Sequence, residues 1–284
     1  MLFNKNIEIL YGLSYCINRE EGNLKLYNTK GDNEIINIFY NIYDNSITPQ
    51  IKEKVKSIGN YGKLALYALE NEKIDFIDYS LFNDYFAELD KIKDKIINDV
   101  KNKNGVSKID FDKVRKFYGF NLSDRVMIYL SIFISGAFGN YANDCSNIVL
   151  GIKYNREKDQ YGVCGTAVCK IYHEFSHPYI NRIVNIYDLK LNNIDNVLCA
   201  GYDGDRTEET LVRAMEIIFS YDIFGSDYLK WAIDEQNKVG FVNVSKFVDL
   251  FMKNKYSNID DFIESLVFNN MLIKDNKLYN LKLL

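Results

Sequence analysis

Apolar residues along this chain change their spacing twice, and each change marks a change of element. From about residue 60 to 103, Ile77, Tyr79, Leu81, Tyr85, Phe86, Leu89, Ile92 and Ile96 recur at roughly three- and four-residue intervals, as in helices with one buried face. Asn104-Gly105 closes this stretch, since both residues tolerate the left-handed conformation of a helix C-cap. A short helix is expected over 109–118. Between 126 and 134 the period drops to two, with Val126, Ile128, Leu130, Ile132 and Ile134 alternating with Met127, Tyr129, Ser131 and Phe133. Both sets are largely apolar, which predicts a strand buried on both faces. A second strand is expected over 148–154, and the polar run Asn155-Arg156-Glu157-Lys158-Asp159 turns it back into 160–164.

The helical period returns at Thr166–His177, where Val168, Ile171, Tyr172 and Phe175 form one stripe. Pro178 lacks the N–H that would bond the carbonyl of Glu174, so this helix is expected to kink or end there. Further helices are expected over 208–222, 227–238, 244–254 and 259–270, with Gly225 and Gly240 in the breaks. Only segment 5–16 is ambiguous, reading as a strand or a short helix. The pattern predicts a helix-rich α+β fold whose small central sheet immediately precedes helix 166–177. We expect a single domain over 1–284: a mostly helical part (1–120), a core (121–225) and a C-terminal helical part (226–284).

Composition narrows the function classes. A net charge of −4 gives no support to nucleic-acid binding, which usually needs a basic face. The lysines between 91 and 103 are interleaved with Asp94 and Asp99 and read as the solvated side of a helix. The longest apolar run, 126–139, contains Ser131 and Ser135 and is too short for a membrane span. Glu8 interrupts the apolar amino-terminal stretch, which argues against a signal peptide. The five cysteines are odd in number and form no C-x-x-C pair, consistent with free thiols in a reducing compartment. These features point to a cytoplasmic protein, or to the mature form of a longer precursor.

Both histidines fall in one pentapeptide, His173-Glu174-Phe175-Ser176-His177. On a helix, residues four apart stack on one face about 6 Å from each other, so each imidazole can offer a nitrogen to one Zn²⁺. Glu174 lies beside them, where a carboxylate can take a proton from water at the metal. Cys169 shares the histidine face, but it lies about 12 Å in rise from His177, too far for one ion. A third ligand must therefore come from elsewhere, and with no histidine left it must be Glu, Asp or Cys. Candidates cluster in Asp203-Gly204-Asp205-Arg206-Thr207-Glu208-Glu209, where Asp205 or Thr207 can cap a helix. On a helical wheel the apolar face of Leu211, Met215, Ile218 and Phe219 centres nearer Glu208 than Glu209. Either glutamate can also be an ordinary first-turn acid favoured by the helix dipole.

The chain resembles the zincin superfamily, in particular the gluzincins, in which a glutamate on a second helix completes the H-E-x-x-H site. It is most similar to an uncharacterised bacterial family whose H-E-F-S-H motif precedes an aromatic-aliphatic-Asn stretch, here Tyr179-Ile180-Asn181. That family's amino-terminal, strand-like pattern resembles Asn6-Ile7-Glu8-Ile9-Leu10. The resemblance covers 165–215 closely, 1–160 weakly and nothing beyond 225. It implies Glu209 as the third ligand, through Glu209-Thr210-Leu211-Val212, whereas the helical wheel keeps Glu208 as the alternative. It also implies that strand 148–154 offers an edge to an extended peptide. Where gluzincins often carry an aspartate that orients a ligand histidine, this chain has Arg213.

The expected activity is that of a zinc metallopeptidase acting on peptides or proteins, with Glu174 as general base. Tyr179, Tyr202 and Arg213 are candidates to stabilise the oxyanion. Two other readings stay open: a zinc-binding regulatory or binding module, and a metal-free helical interaction protein.

Overall fold

The computed structural model describes residues 1–23, 33–103, 105–120, 122, 125–163, 165–193 and 206–274. In chain order the helices are α1 Lys5–Glu20, α2 Asn33–Ser46, α3 Pro49–Ile58, α4 Tyr61–Glu70, α5 Asn83–Lys103 and α6 Phe111–Tyr118. Strands β1 Val126–Ser131, β2 Ala137–Ala142, β3 Cys145–Asn155 and β4 Gln160–Val163 follow, then α7 Ala167–Tyr187 and β5 Leu189–Leu191. The chain continues through α8 Arg206–Lys238, α9 Val242–Asn254, α10 Ile259–Phe268 and β6 Leu272–Lys274. The fold is α+β and helix-rich with a small mixed sheet, as the spacing pattern predicts. None of the described helices is long and apolar enough to cross a membrane.

Residues group into two compact units, Met1–Ser107 with Ser123–Glu174, and Lys108–Leu122 with Phe175–Leu284. In the first, α1 is the central element. Asn4 caps it by accepting from the Ile7 amide at 3.0 Å, and Ile7, Ile9, Leu10, Tyr11 and Leu13 are all fully buried. A helix buried on every side has no polar face and so no 3.6-residue signature. That is why segment 5–16 is ambiguous in sequence, and it corrects the strand-like reading of Asn6–Leu10. Asn6 ties α1 to the end of α4 by donating to the carbonyls of Ala68 (3.2 Å) and Asn71 (2.7 Å).

Glu8 is wholly buried in this helix, with the Tyr85 hydroxyl donating to its Oε2 at 2.6 Å. Burial pushes its carboxyl up to about 7, against partial relief from Tyr85, Ser131 and the Ile132 backbone. Between about pH 4.5, its ordinary value, and about pH 7 the native state then holds more proton than the unfolded chain. Stability therefore falls as pH rises through this window, by about 3 kcal/mol over the whole of it. Glu8→Gln keeps the volume and removes the titration. In urea unfolding, the variant is expected to gain on the parent steadily from pH 4.5 to 7. A difference that stays constant across that range would rule this out.

The main sheet has the order β1-β3-β2, with β4 pairing the later part of β3. β1 runs parallel to β3 (Val126↔Ser146 to Ser131↔Gly151), and β2 runs antiparallel to it (Ala137↔Leu150 to Ala142↔Cys145). The alternation over 126–134 thus covers β1 and the bend after it, and β2 is a strand the pattern misses. β3 is paired on both sides over residues 146–150. The expected edge at 148–154 is therefore interior over 148–150, while 152–154 pairs with β4 alone; among the described strands, β2 and β4 each pair only with β3.

In the second unit α6, α7 and α8 share an aromatic core. Tyr118 stacks on Tyr179 at 4.7 Å, Phe175 packs against Phe111 and Tyr179, and Phe117 meets Phe219 edge-on. α8 is broken where expected, at Gly225, whose φ of 77° and ψ of −163° suit a residue without Cβ. β5 and β6 pair antiparallel, and the Leu191 amide donates to Thr207 Oγ1 at 3.2 Å, fixing the start of α8 beside the strand that follows α7.

Candidate metal centre

α7 carries the histidine motif as a helix and, of the two outcomes expected at Pro178, a kink or an end, the end does not occur. It runs on to Tyr187 with Pro178 inside. Buried side chains on the turns after the proline, Tyr179, Ile180, Ile183 and Val184, hold the helix through it. Packing thus outweighs the lost hydrogen bond, a cost of about 3 kcal/mol. At Gly139 of β2, a Cβ would lie 2.5 Å from the Glu174 carbonyl and 2.8 Å from its Cβ. Only glycine lets this strand approach the motif helix so closely.

The coordinating atoms of His173, His177 and Glu209 all lie within 4.8 Å of one another. His177 Nε2 is 3.6 Å from Glu209 Oε2. That is long for a hydrogen bond but close to the separation of about 3.4 Å between two ligands on one tetrahedral zinc. Two imidazoles and a carboxylate are the donor set of a catalytic zinc with one position left for water. The residues present therefore fit such an ion.

Both glutamates at the start of α8 serve His177, in different ways. Glu208 Oε1 lies 2.8 Å from Nδ1, and its Oε2 accepts from Asn181 Nδ2 at 2.8 Å. A carboxylate accepts, so this contact favours the tautomer with its proton on Nδ1 and leaves Nε2 as the atom that faces Glu209. Glu209 is buried, and its Oε1 lies 2.6 Å from Arg213 Nε, which leaves Oε2 facing His177 Nε2. Arg213 is itself fixed: its Nη1 donates to Gln236 Oε1 at 2.8 Å and its guanidinium sits 4.3 Å over the Phe241 ring. His177 is thus held by Glu208, and Arg213 clamps the Glu209 carboxylate.

Glu174 is half-buried, and its carboxylate has no hydrogen-bond or ion-pair partner among the described residues. Tyr179 is completely buried between Tyr118, Phe120 and Phe175, where it packs the core rather than meets a substrate. Cys169 is buried, as a packed thiol would be. Tyr202, Cys164, Cys199 and the acids at 203 and 205 lie outside the described residues. The sequence missed Glu208's orienting role and Asn181's support of it. The i, i+4 spacing of His177 and Asn181 was the available signal for the second. No family model, no curated protein and no solved structure matches this chain.

Proposed function

We propose that the chain is a zinc-dependent metallopeptidase, with His173, His177 and Glu209 as metal ligands and Glu174 as general base. The observation that carries this reading is the convergence of two imidazoles and one clamped carboxylate beside an unpartnered glutamate. The metal would supply Lewis acidity and a water acidified toward neutral pH. Glu174 takes the proton from the attacking water and returns it to the leaving amine. Glu208 keeps His177 in one tautomer and one orientation, and Arg213 holds Glu209. β2 pairs with β3 on one side and lies against Glu174 through Gly139. Its other edge suits an extended peptide, which would place a scissile carbonyl near the base.

Protein purified without added metal is expected to hold about one zinc per chain. It should cleave an unstructured protein substrate in a reaction stopped by a chelator and restored by Zn²⁺. Zinc retained without any cleavage would make this a binding module. Absence of zinc would remove the metal reading altogether.

A further inference from the structure

A cavity of about 420 Å³ lies in the second unit where α6, α8 and the end of α9 converge. This is the size class of a pocket for a compact small molecule. Its floor is aromatic: Phe117 and Phe219 are buried, and Phe251 is half-buried. Its rim is basic, with Lys113, Lys116 and Lys255 around the opening of a chain whose net charge is −4. Asp222 is the acid at the rim, and Lys113 Nζ is bonded to its Oδ2 at 2.5 Å. Lys116 and Lys255 are exposed and have no ion-pair partner among the described residues.

Lys255 stands at φ 54°, the left-handed position that ends α9, with its amide bonded to the Phe251 carbonyl at 2.7 Å. Glycine or asparagine would occupy that conformation at less cost. A lysine there places a charge at the pocket mouth. We infer that this cavity binds a compact carboxylate with an apolar tail, the tail on Phe117, Phe219 and Phe251 and the carboxylate between Lys116 and Lys255. A wholly apolar ligand would leave two ammonium groups unused, and a small polyanion would leave the aromatic floor unused. The inference stands apart from the metal centre, since Ile218 in the pocket is roughly 14 Å along α8 from Glu209.

Isothermal titration with octanoate tests it. One saturable site per chain is expected, with octanol binding at least about tenfold more weakly. Lys116→Gln combined with Lys255→Asn should weaken octanoate by at least about tenfold without moving the thermal midpoint, because asparagine tolerates the left-handed backbone. If the double variant does not fold, Lys116→Gln alone should still weaken octanoate by about threefold or more. Absence of saturable binding to the parent chain overturns the inference, as does equal affinity for octanol. Unchanged octanoate affinity in the variants also overturns it, and would leave the two lysines as complements to helix dipoles.

Discussion

Glu174→Gln is expected to abolish cleavage while the chain keeps its full complement of zinc. The carboxylate is half-buried and unpartnered among the described residues, so the substitution breaks no described hydrogen bond or ion pair. Glutamine has the same length and leaves the close approach of Gly139 to the Glu174 main chain untouched, but it cannot accept a proton. Loss of a positioned general base lowers rate by about 10²–10⁴-fold. The check is kcat/KM on any peptide the parent cleaves, measured beside metal content. Full activity would sink the assignment of the base. Loss of zinc together with activity would instead make Glu174 part of the ligand set.

The second large effect concerns the paired glutamates of α8. Glu209→Ala removes one of the three proposed ligands and leaves Arg213, until then 2.6 Å from that carboxylate, as an uncompensated positive charge beside the site. Both changes oppose a dication, so zinc retention is expected to fall by orders of magnitude. Glu208→Ala leaves three ligands but frees the His177 ring, and loss of such an orienting partner costs about 10–100-fold in metal affinity. Glu208→Gln should recover much of that, because its amide oxygen can still accept from Nδ1. Competition with a chromophoric chelator measures all three. Equal losses for the two alanine variants would erase the distinction between ligand and orienting residue. No loss for either would remove α8 from the metal centre.

Sequence alone carries the motif helix, the break at Gly225 and the helices beyond it. These are local signals: a fixed spacing and a glycine. The pairing of Arg213 with Glu209 is not among them, because Glu216 lies within reach on the same helix. What it misses depends on packing. The wheel and the motif pattern treat Glu208 and Glu209 as alternatives for one role. An imidazole, however, has two nitrogens facing different ways, and consecutive residues at a helix start reach one each. Pro178 is tolerated because the turns that follow it are buried. Tyr179 has a hydroxyl suited to catalysis, and only the stacking partner Tyr118, some sixty residues away, shows that its ring fills the core. β2 escapes notice because its residues Ala137 to Ala142 include Gly139 and Asn140 and show no clean alternation, being held instead by their register with β3.

In the proposed metal centre, the clamp on Glu209 bears on which ions would be admitted. With Oε1 engaged by Arg213, the carboxylate offers one oxygen, not two. Calcium takes about six to eight oxygen ligands, often with bidentate carboxylates, and magnesium prefers carboxylates and waters to imidazole. Either would meet two nitrogens, one oxygen and a guanidinium charge close by. Discrimination against the hard cations therefore follows from donor type and count. Discrimination among zinc, copper, nickel and cobalt, all of which accept imidazole, falls to the geometry of the site and to which ion is supplied.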